Sequence, residues 1–229
     1  MTLRLPPCLL FDLDGTLLDS LPGIEYSARA AFAQCRLAIG EIELRTLIGP
    51  PIRTILAKMA LADTTGGLSE EQLDRLVQAF RASYDSEGWK RTPHYDGALQ
   101  TLRAMRAQGK RLFVVSNKPR HISLRILQAG GTLELFDEVV TRDSRGPAYT
   151  DKQEMIHSLM QRYGLQPQDC LMVGDTMEDA VAALQTGIQF CLMTHGYGDV
   201  PLGPAVPVAF RFDHFSELMP APRQEQDID

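Results

Sequence analysis

The feature that most constrains this chain is a join that recurs along it. A short, almost wholly apolar run stops on small or polar residues, and a helical pattern follows. Cys8-Leu9-Leu10-Phe11 stops at Asp12, and Arg111-Leu112-Phe113-Val114-Val115 stops at Ser116-Asn117. Leu171-Met172-Val173 stops at Gly174-Asp175, and Phe190-Cys191-Leu192-Met193 at Thr194-His195-Gly196. Strands buried on both faces of a parallel sheet read this way, because neither face accepts polar side chains. Glu138 to Thr141 is a weaker strand, and Val206 to Phe212 reads as an edge strand. Gly97 to Gln108 has helical spacing and stops at Gly109, and Pro119 opens a helix that ends near Gly130-Gly131. Thr150-Asp151-Lys152-Gln153 has the form of a capping box, and Asp179 to Thr186 carries a short helix closed by Gly187. The fold class that follows is α/β, with a doubly wound parallel-sheet, Rossmann-like core.

Between the first two strands no further strand pattern occurs. Leu21 to Cys35, Glu41 to Leu61 and Ser69 to Tyr84 are each amphipathic at helical spacing, and Ser69-Glu70-Glu71-Gln72 is a second capping box. Roughly 75 residues is far beyond the 2–6 of an ordinary loop in an α/β unit. The expectation is a helical cap domain over 17–91 inserted into a core formed by 1–16 and 92–229. The polar tail 220–229 is expected to fray.

Composition narrows the function classes. The 229 residues are 44% hydrophobic and 23% charged, which is ordinary globular usage. No apolar run approaches the roughly 20 residues a membrane helix needs, and Asp12 and Asp14 cut short any leader-like segment over Met1 to Phe11. The net charge of −6 disfavours nucleic acid as a partner. Cys8, Cys35, Cys170 and Cys191 are too scattered for a metal pair and read as reduced thiols of a cytoplasmic protein.

The sharpest chemical signal is Asp12-Leu13-Asp14-Gly15-Thr16 directly after the first strand. Ligands of open parallel sheets bind outside the carboxyl ends of the strands, so both carboxylates face that site. Two like charges 4 Å apart cost about 4 kcal/mol at an effective dielectric of 20, which a bound cation or reaction chemistry offsets. An Asp-Gly turn with an Asp cap explains the dipeptide alone but not the paired charges. Gly174-Asp175-Thr176-Met177-Glu178-Asp179 adds two carboxylates four residues apart. Alone it equally suits an acidic helix start. With Asp12 and Asp14 it makes a hard-oxygen set, and such a set suits Mg²⁺. Ser116-Asn117-Lys118-Pro119 is either a phosphate-binding helix start or an ordinary N-cap. Lys152 opens a helix against the dipole, which an anionic partner explains, although most lysines are simply solvated.

Together these strings resemble the haloacid dehalogenase-like phosphatase superfamily over nearly the whole chain. More narrowly, Asp14 to Pro22, Ser116 to Pro119 and Thr194 to Gly198 resemble the phosphoglycolate phosphatase group. The lysine of the third motif departs from many relatives, since Gln153 rather than Pro follows Lys152, and Lys118 competes for its role. The resemblance implies Mg²⁺-dependent hydrolysis of a small phosphorylated metabolite through an aspartyl-phosphate. Asp12 is then the nucleophile and Asp14 the acid and base. Gly15, Ser116, Asn117 and Lys152 hold phosphate, and Asp12, Asp14, Asp175 and Asp179 serve the metal. Leu47 to Arg53 resembles a substrate loop of the cap, with Gly49 and Arg53 in contact with substrate, or else a plain break between two helices. His195 either lines the pocket or sits in a turn, Trp89 packs a hinge, and Met155 to Met160 belong to the core. Rivals on the same fold are a sugar-phosphate mutase, a pyrophosphatase and a nucleotidase, with a non-catalytic phosphate-binding module in a different class. A monomer or homodimer without membrane partners is expected.

Overall fold

A computed structural model describes residues 5–40, 42–61, 67–201 and 207–219. Six strands form a single sheet: β1 (Cys8–Phe11), β2 (Arg111–Ser116), β3 (Glu138–Thr141), β4 (Cys170–Gly174), β5 (Gln189–Met193) and β6 (Phe210–Phe212). Their order is β3-β2-β1-β4-β5-β6, and every neighbouring pair is parallel. The expected α/β class is therefore the observed one, and β6 is the edge strand, shorter than expected. Val206 and the tail 220–229 lie outside the described residues.

Strand order reverses at β1, which pairs with β2 on one side and β4 on the other. A crevice opens at such a reversal, outside the carboxyl ends of the strands. Phe11 is in register with both Val114 and Val173, and the Asp12 amide continues the ladder to the Val173 carbonyl at 3.0 Å. The sequence that leaves β1 therefore emerges into the crevice beside the end of β4.

Alternate strand residues supply two cores, as the pleat requires. Leu9, Phe11, Leu112, Val114, Leu171 and Val173 face α4 (Ala98–Ala107) and α5 (Arg120–Ala129). Leu10, Phe113, Val115 and Met172 face α6 (Lys152–Tyr163) and α7 (Met177–Thr186), where Met155 and Leu159 are fully buried. Between β1 and β2 stand α1 (Leu21–Cys35), α2 (Ile52–Leu61) and α3 (Glu70–Ser86). Ala28, Phe32, Leu56, Leu76 and Phe80 pack these helices together. Among the described residues no helix is long and apolar enough to cross a membrane.

Local departures have local causes. The expected helix over Glu41 to Leu61 is a 3-10 turn, Leu44–Leu47, followed by α2. Ile48-Gly49-Pro50-Pro51 interrupts it, since proline lacks the amide a helix needs and Gly49 sits at φ +132°. Glu41 is outside the described residues. The box at Ser69 forms as expected, with Gln72 reciprocating. The one at Thr150 shifts: Asp151 is the N-cap and accepts from the Glu154 amide at 2.8 Å. Likewise α7 begins at Met177 rather than Asp179, because Thr176 caps it with Asp179 as the third residue.

The two chain segments that join α1–α3 to the sheet run side by side. Asp19 donates its amide to Pro93 at 2.9 Å, and Tyr95 donates to Leu17 at 3.0 Å. At their base a Cβ on Gly23 would lie 2.5 Å from the Gly88 carbonyl oxygen and 2.7 Å from Thr92 Oγ1. A backbone oxygen cannot swing aside as a side chain does. Gly23→Ala is expected to cost about 1–2 kcal/mol net, because overpacking outweighs the gain in helix propensity. Thermal unfolding reads this as a lower Tm.

Candidate active site

Three carboxylates and one lysine meet where β1, β4, α6 and α7 converge. Asp12 follows β1, Asp175 follows β4, Asp179 lies in the first turn of α7, and Lys152 opens α6. One oxygen of each carboxylate lies within 4.8 Å of the others, and all three residues are buried. Lys152 Nζ stands 2.6 Å from Asp179 Oδ1, to which it donates, and 2.9 Å from Asp12 Oδ1. The contact to Asp12 is an ion pair without hydrogen-bond alignment, so Asp12 Oδ1 has no hydrogen-bond donor. Asp179 Oδ2 accepts from the Thr176 amide at 3.0 Å and hydroxyl at 2.6 Å.

The charges do not balance. Burial, together with the neighbouring carboxylates and against the pull of Lys152, raises the Asp12 pKa well above the carboxylate range. Burial and Asp179 push Asp175 up to about 6. Burial alone would depress Lys152, but Asp12 and Asp179 outweigh it and hold its ammonium firmly charged. Three carboxylates against one ammonium, with a buried oxygen left unpartnered, form a set that a small hard cation fits.

Asp175 is held by its surroundings rather than by its own turn. Its Oδ1 accepts from Thr16 Oγ1 at 3.0 Å, and its Oδ2 accepts from the amides of Tyr197 at 2.7 Å and Gly198 at 3.3 Å. A Cβ on Gly15 would stand 2.2 Å from Asp175 Oδ2, and one on Gly196 would stand 2.2 Å from Asp175 Cβ. Gly15 and the Gly196-Tyr197-Gly198 turn after β5 thus close around this carboxylate. Only residues without a Cβ fit there, which is the physical content of two strings far apart in the sequence.

Asp14 belongs to a second group. Its Oδ1 accepts from Lys118 Nζ at 2.8 Å and from Ser20 Oγ. Lys118 Nζ also donates to the hydroxyl of Tyr84 on α3 at 2.9 Å. Burial works against the Lys118 charge, but Asp14 and Tyr84 prevail and keep its pKa above the ordinary value. The two competing lysines therefore divide the work: Lys152 serves Asp12 and Asp179, and Lys118 serves Asp14. Ser20 lies within the Asp14 to Pro22 string, but Tyr84 carries no sequence signal, since a lone Tyr on an amphipathic helix has no chemical signature.

Ser116 ends β2 fully buried, and its Oγ accepts from the Lys118 amide at 3.4 Å. Asn117 donates through Nδ2 to Glu178 Oε2 at 2.8 Å, leaving Oδ1 buried without a partner. A cleft of about 520 Å³ opens between the sheet edge and α1–α3, lined by Asp14, Asn117 and Lys118 on one side. Gly49 lines the other side, but Arg53 does not. Its guanidinium instead pairs with Glu70 and Asp74 on the neighbouring helix. His195 is held in a turn, its ring nitrogens facing the carbonyls of Thr16 at 3.0 Å and Asp213 at 2.8 Å. Trp89 packs beneath Arg125, whose guanidinium lies 4.1 Å from the ring centroid.

The sequence profile of haloacid dehalogenase-like hydrolases matches residues 9–193. Phosphoglycolate phosphatase of Nitrosospira multiformis is 32% identical over 194 residues, 83% of this chain and 84% of that protein. Tyrosine-protein kinase PtkA of Mycobacterium tuberculosis is also 32% identical over 194 residues, 84% of this chain and 64% of that protein. The crystal structure of a predicted phosphoglycolate phosphatase from Haemophilus somnus superposes with a TM-score of 0.82 at 28% identity, covering 93% of this chain and 96% of that one.

Two outcomes follow from the carboxylate cluster. Gly196→Ala is expected to displace Asp175 and weaken the affinity of the cluster for a small divalent cation at least about tenfold, as loss of a ligand's support does. Titration calorimetry measures it. In metal-free protein, Asp12 and Asp175 bind protons more tightly folded than unfolded, so the folded state holds more protons above the ordinary carboxylate value of 3.8. Unfolding free energy then falls as pH rises from about 4 through about 6 and beyond. Tm measured against pH with chelator should show that fall, and added Mg²⁺ should flatten it.

Proposed function

The chain belongs to the haloacid dehalogenase-like hydrolase family, and on that premise we propose that it is a Mg²⁺-dependent phosphatase. It hydrolyses a small phosphomonoester that is 2-phosphoglycolate-like, carrying a carboxylate as well as its phosphate ester, through an aspartyl-phosphate. The observation that carries this reading is the division of labour between Asp12 and Asp14. Asp12 has a buried oxygen free of hydrogen bonds, as a nucleophile needs. Asp14, two residues on, is oriented by Lys118 and Ser20 and opens onto the cleft, as an acid and base needs.

In the first step an Asp12 carboxylate oxygen forms a bond to phosphorus, and the bond to the leaving-group oxygen breaks. Asp14 delivers the proton that this oxygen takes up. In the second step Asp14 removes a proton from water as the water oxygen bonds to phosphorus. The bond from phosphorus to Asp12 breaks, and its carboxylate returns. Ser116 Oγ, the backbone amides that follow it and those near Gly15, and Lys152 would hold the phosphoryl oxygens. Asp12, Asp175 and the Asp14 carbonyl would hold Mg²⁺, with Asp179 supporting them, and the ion would neutralise charge between carboxylate and phosphate.

The segment 17–91 acts in this reading as a cap that closes the cleft and keeps out bulk water. Its contact to the acid and base through Tyr84 and Lys118 supports that role. Four free cysteines, three of them buried, suit a cytoplasmic protein.

Phosphate release from 2-phosphoglycolate, pyrophosphate, nucleoside monophosphates, sugar phosphates and an aryl phosphate tests the reading. Release should require Mg²⁺ and fall by at least about a thousandfold in Asp12→Asn, since a covalent nucleophile is removed. Asp14→Asn should lower kcat by about 10²–10⁴ with little change in KM, as loss of a general acid and base does. Phosphate appearing on a protein tyrosine instead of in solution would overturn hydrolysis as the activity.

A further inference from the structure

The cleft says more about the leaving group than a two-carbon ester requires. Its volume of about 520 Å³ is that of a site for a far larger organic ligand than glycolate. Beside Arg81, Tyr84 and Asp85 of α3, its wall on α1–α3 and the Ile48–Pro51 loop is carbon surface from Ile24, Ile48, Pro50, Pro51, Ile55 and Phe80. Carbon surface of this kind gains nothing from a carboxylate held directly beside the phosphate, whereas an apolar body between two anionic ends would cover it.

Four cationic side chains line the same cleft: Lys118, His121, Arg142 and Arg81. Lys118 is taken by Asp14 and Tyr84. His121 faces Asp85 Oδ2 at 3.2 Å. Arg142 donates to the carbonyls of Tyr149 at 3.1 Å and Thr150 at 2.9 Å. Of the acidic lining residues beside Asp14, Asp85 is taken by His121, and Asp143 accepts from the Arg120 amide and Thr141 Oγ1. Arg81 alone of these cations has no carboxylate or carbonyl partner among the described residues, and it is exposed to the cleft. On α3 it lies one turn before Tyr84, so about 4.5 Å further along the helix axis from the residue that meets Lys118.

We propose that Arg81 anchors the far end of the substrate, and that the preferred substrates are phosphomonoesters whose leaving group carries an apolar body ending in a carboxylate. The substrate contact that the family resemblance implied for Arg53 passes to Arg81, because Arg53 is committed to Glu70 and Asp74. Arg81 is a binding residue for the leaving group and takes no part in bond making. The proposal rests on the phosphatase reading for the orientation of the ester.

The test compares 4-(phosphonooxy)benzoate with phenyl phosphate, which lacks the carboxylate, and with 2-phosphoglycolate. The readout is the ratio of kcat/KM for the first two in wild type and in Arg81→Met, which cancels the intrinsic reactivity of the leaving groups. That ratio should fall roughly tenfold in Arg81→Met, the effect of one hydrogen-bonded charge contact, and should recover in part in Arg81→Lys. In wild type, 2-phosphoglycolate should be the poorer substrate. A ratio that does not respond to Arg81, or a preference for 2-phosphoglycolate over the benzoate, overturns the inference. Calorimetric binding of both aryl esters to Asp12→Asn, with and without Arg81→Met, separates the two readings. Arg81-dependent binding without turnover in the wild type sustains the subsite and overturns the phosphatase. Turnover without Arg81 dependence does the reverse.

Discussion

The site depends on one imbalance: three buried carboxylates against the single ammonium of Lys152. Unscreened carboxylates at this spacing repel by several kcal/mol, and burial adds a desolvation cost for each. The fold tolerates this because every partner approaches from a different element. Lys152 comes from the first residue of α6, Thr16 from the turn after β1, and the Tyr197 and Gly198 amides from the turn after β5. What this arrangement leaves undone is the neutralisation of Asp12. A small hard cation fits what is left over.

The same division explains why two lysines are present. A lysine close to both Asp12 and Asp14 would couple the two carboxylates to one charge. Here Lys152 is carried by the first residue of α6 and pairs with Asp12 and Asp179, while Lys118 lies just past the end of β2 and pairs with Asp14. The inserted helices reach only the second of them, through Tyr84. Tyr84 on α3 thus meets the Asp14–Lys118 pair, while Arg45, also between β1 and β2, donates to the His195 and Gly196 carbonyls of the turn that holds Asp175.

Close approach, rather than special chemistry, sets the remaining geometry. Gly15, Gly196 and Gly198 surround Asp175 at distances no Cβ allows, and Gly23 meets Gly88 where the inserted helices join the sheet. The first contact fixes the Asp175 carboxylate within the acidic cluster. The second fixes the angle at which α1 leaves the core. Both use glycine for the absence of a side chain, and in both a methyl group would have to displace backbone or a held carboxylate.

Much of this was legible in the chain. Buried parallel strands announce themselves as continuous apolar runs, and the residues that terminate them must emerge at the ligand-binding edge, so Asp12, Asp14, Ser116 and Asp175 could be placed by local pattern alone. Caps were legible to within a residue or two: Ser69 capped as its spacing dictated, while at Thr150 the adjacent Asp151 offered a competing acceptor and took the position. The partners of long side chains were not legible. Lys118 stands just before α5 and Lys152 opens α6, and only the packed structure puts one beside Asp14 and the other beside Asp12. Arg53 sits in a loop pattern that suggests substrate contact, yet Glu70 and Asp74 on α3 capture it across the helix pair. Arg81 looks in sequence like any exposed helical arginine. Strand pattern and turn chemistry are properties of a few adjacent residues, and the sequence determines them. Which charge meets which depends on elements a hundred residues apart, and only the packed tertiary structure decides that.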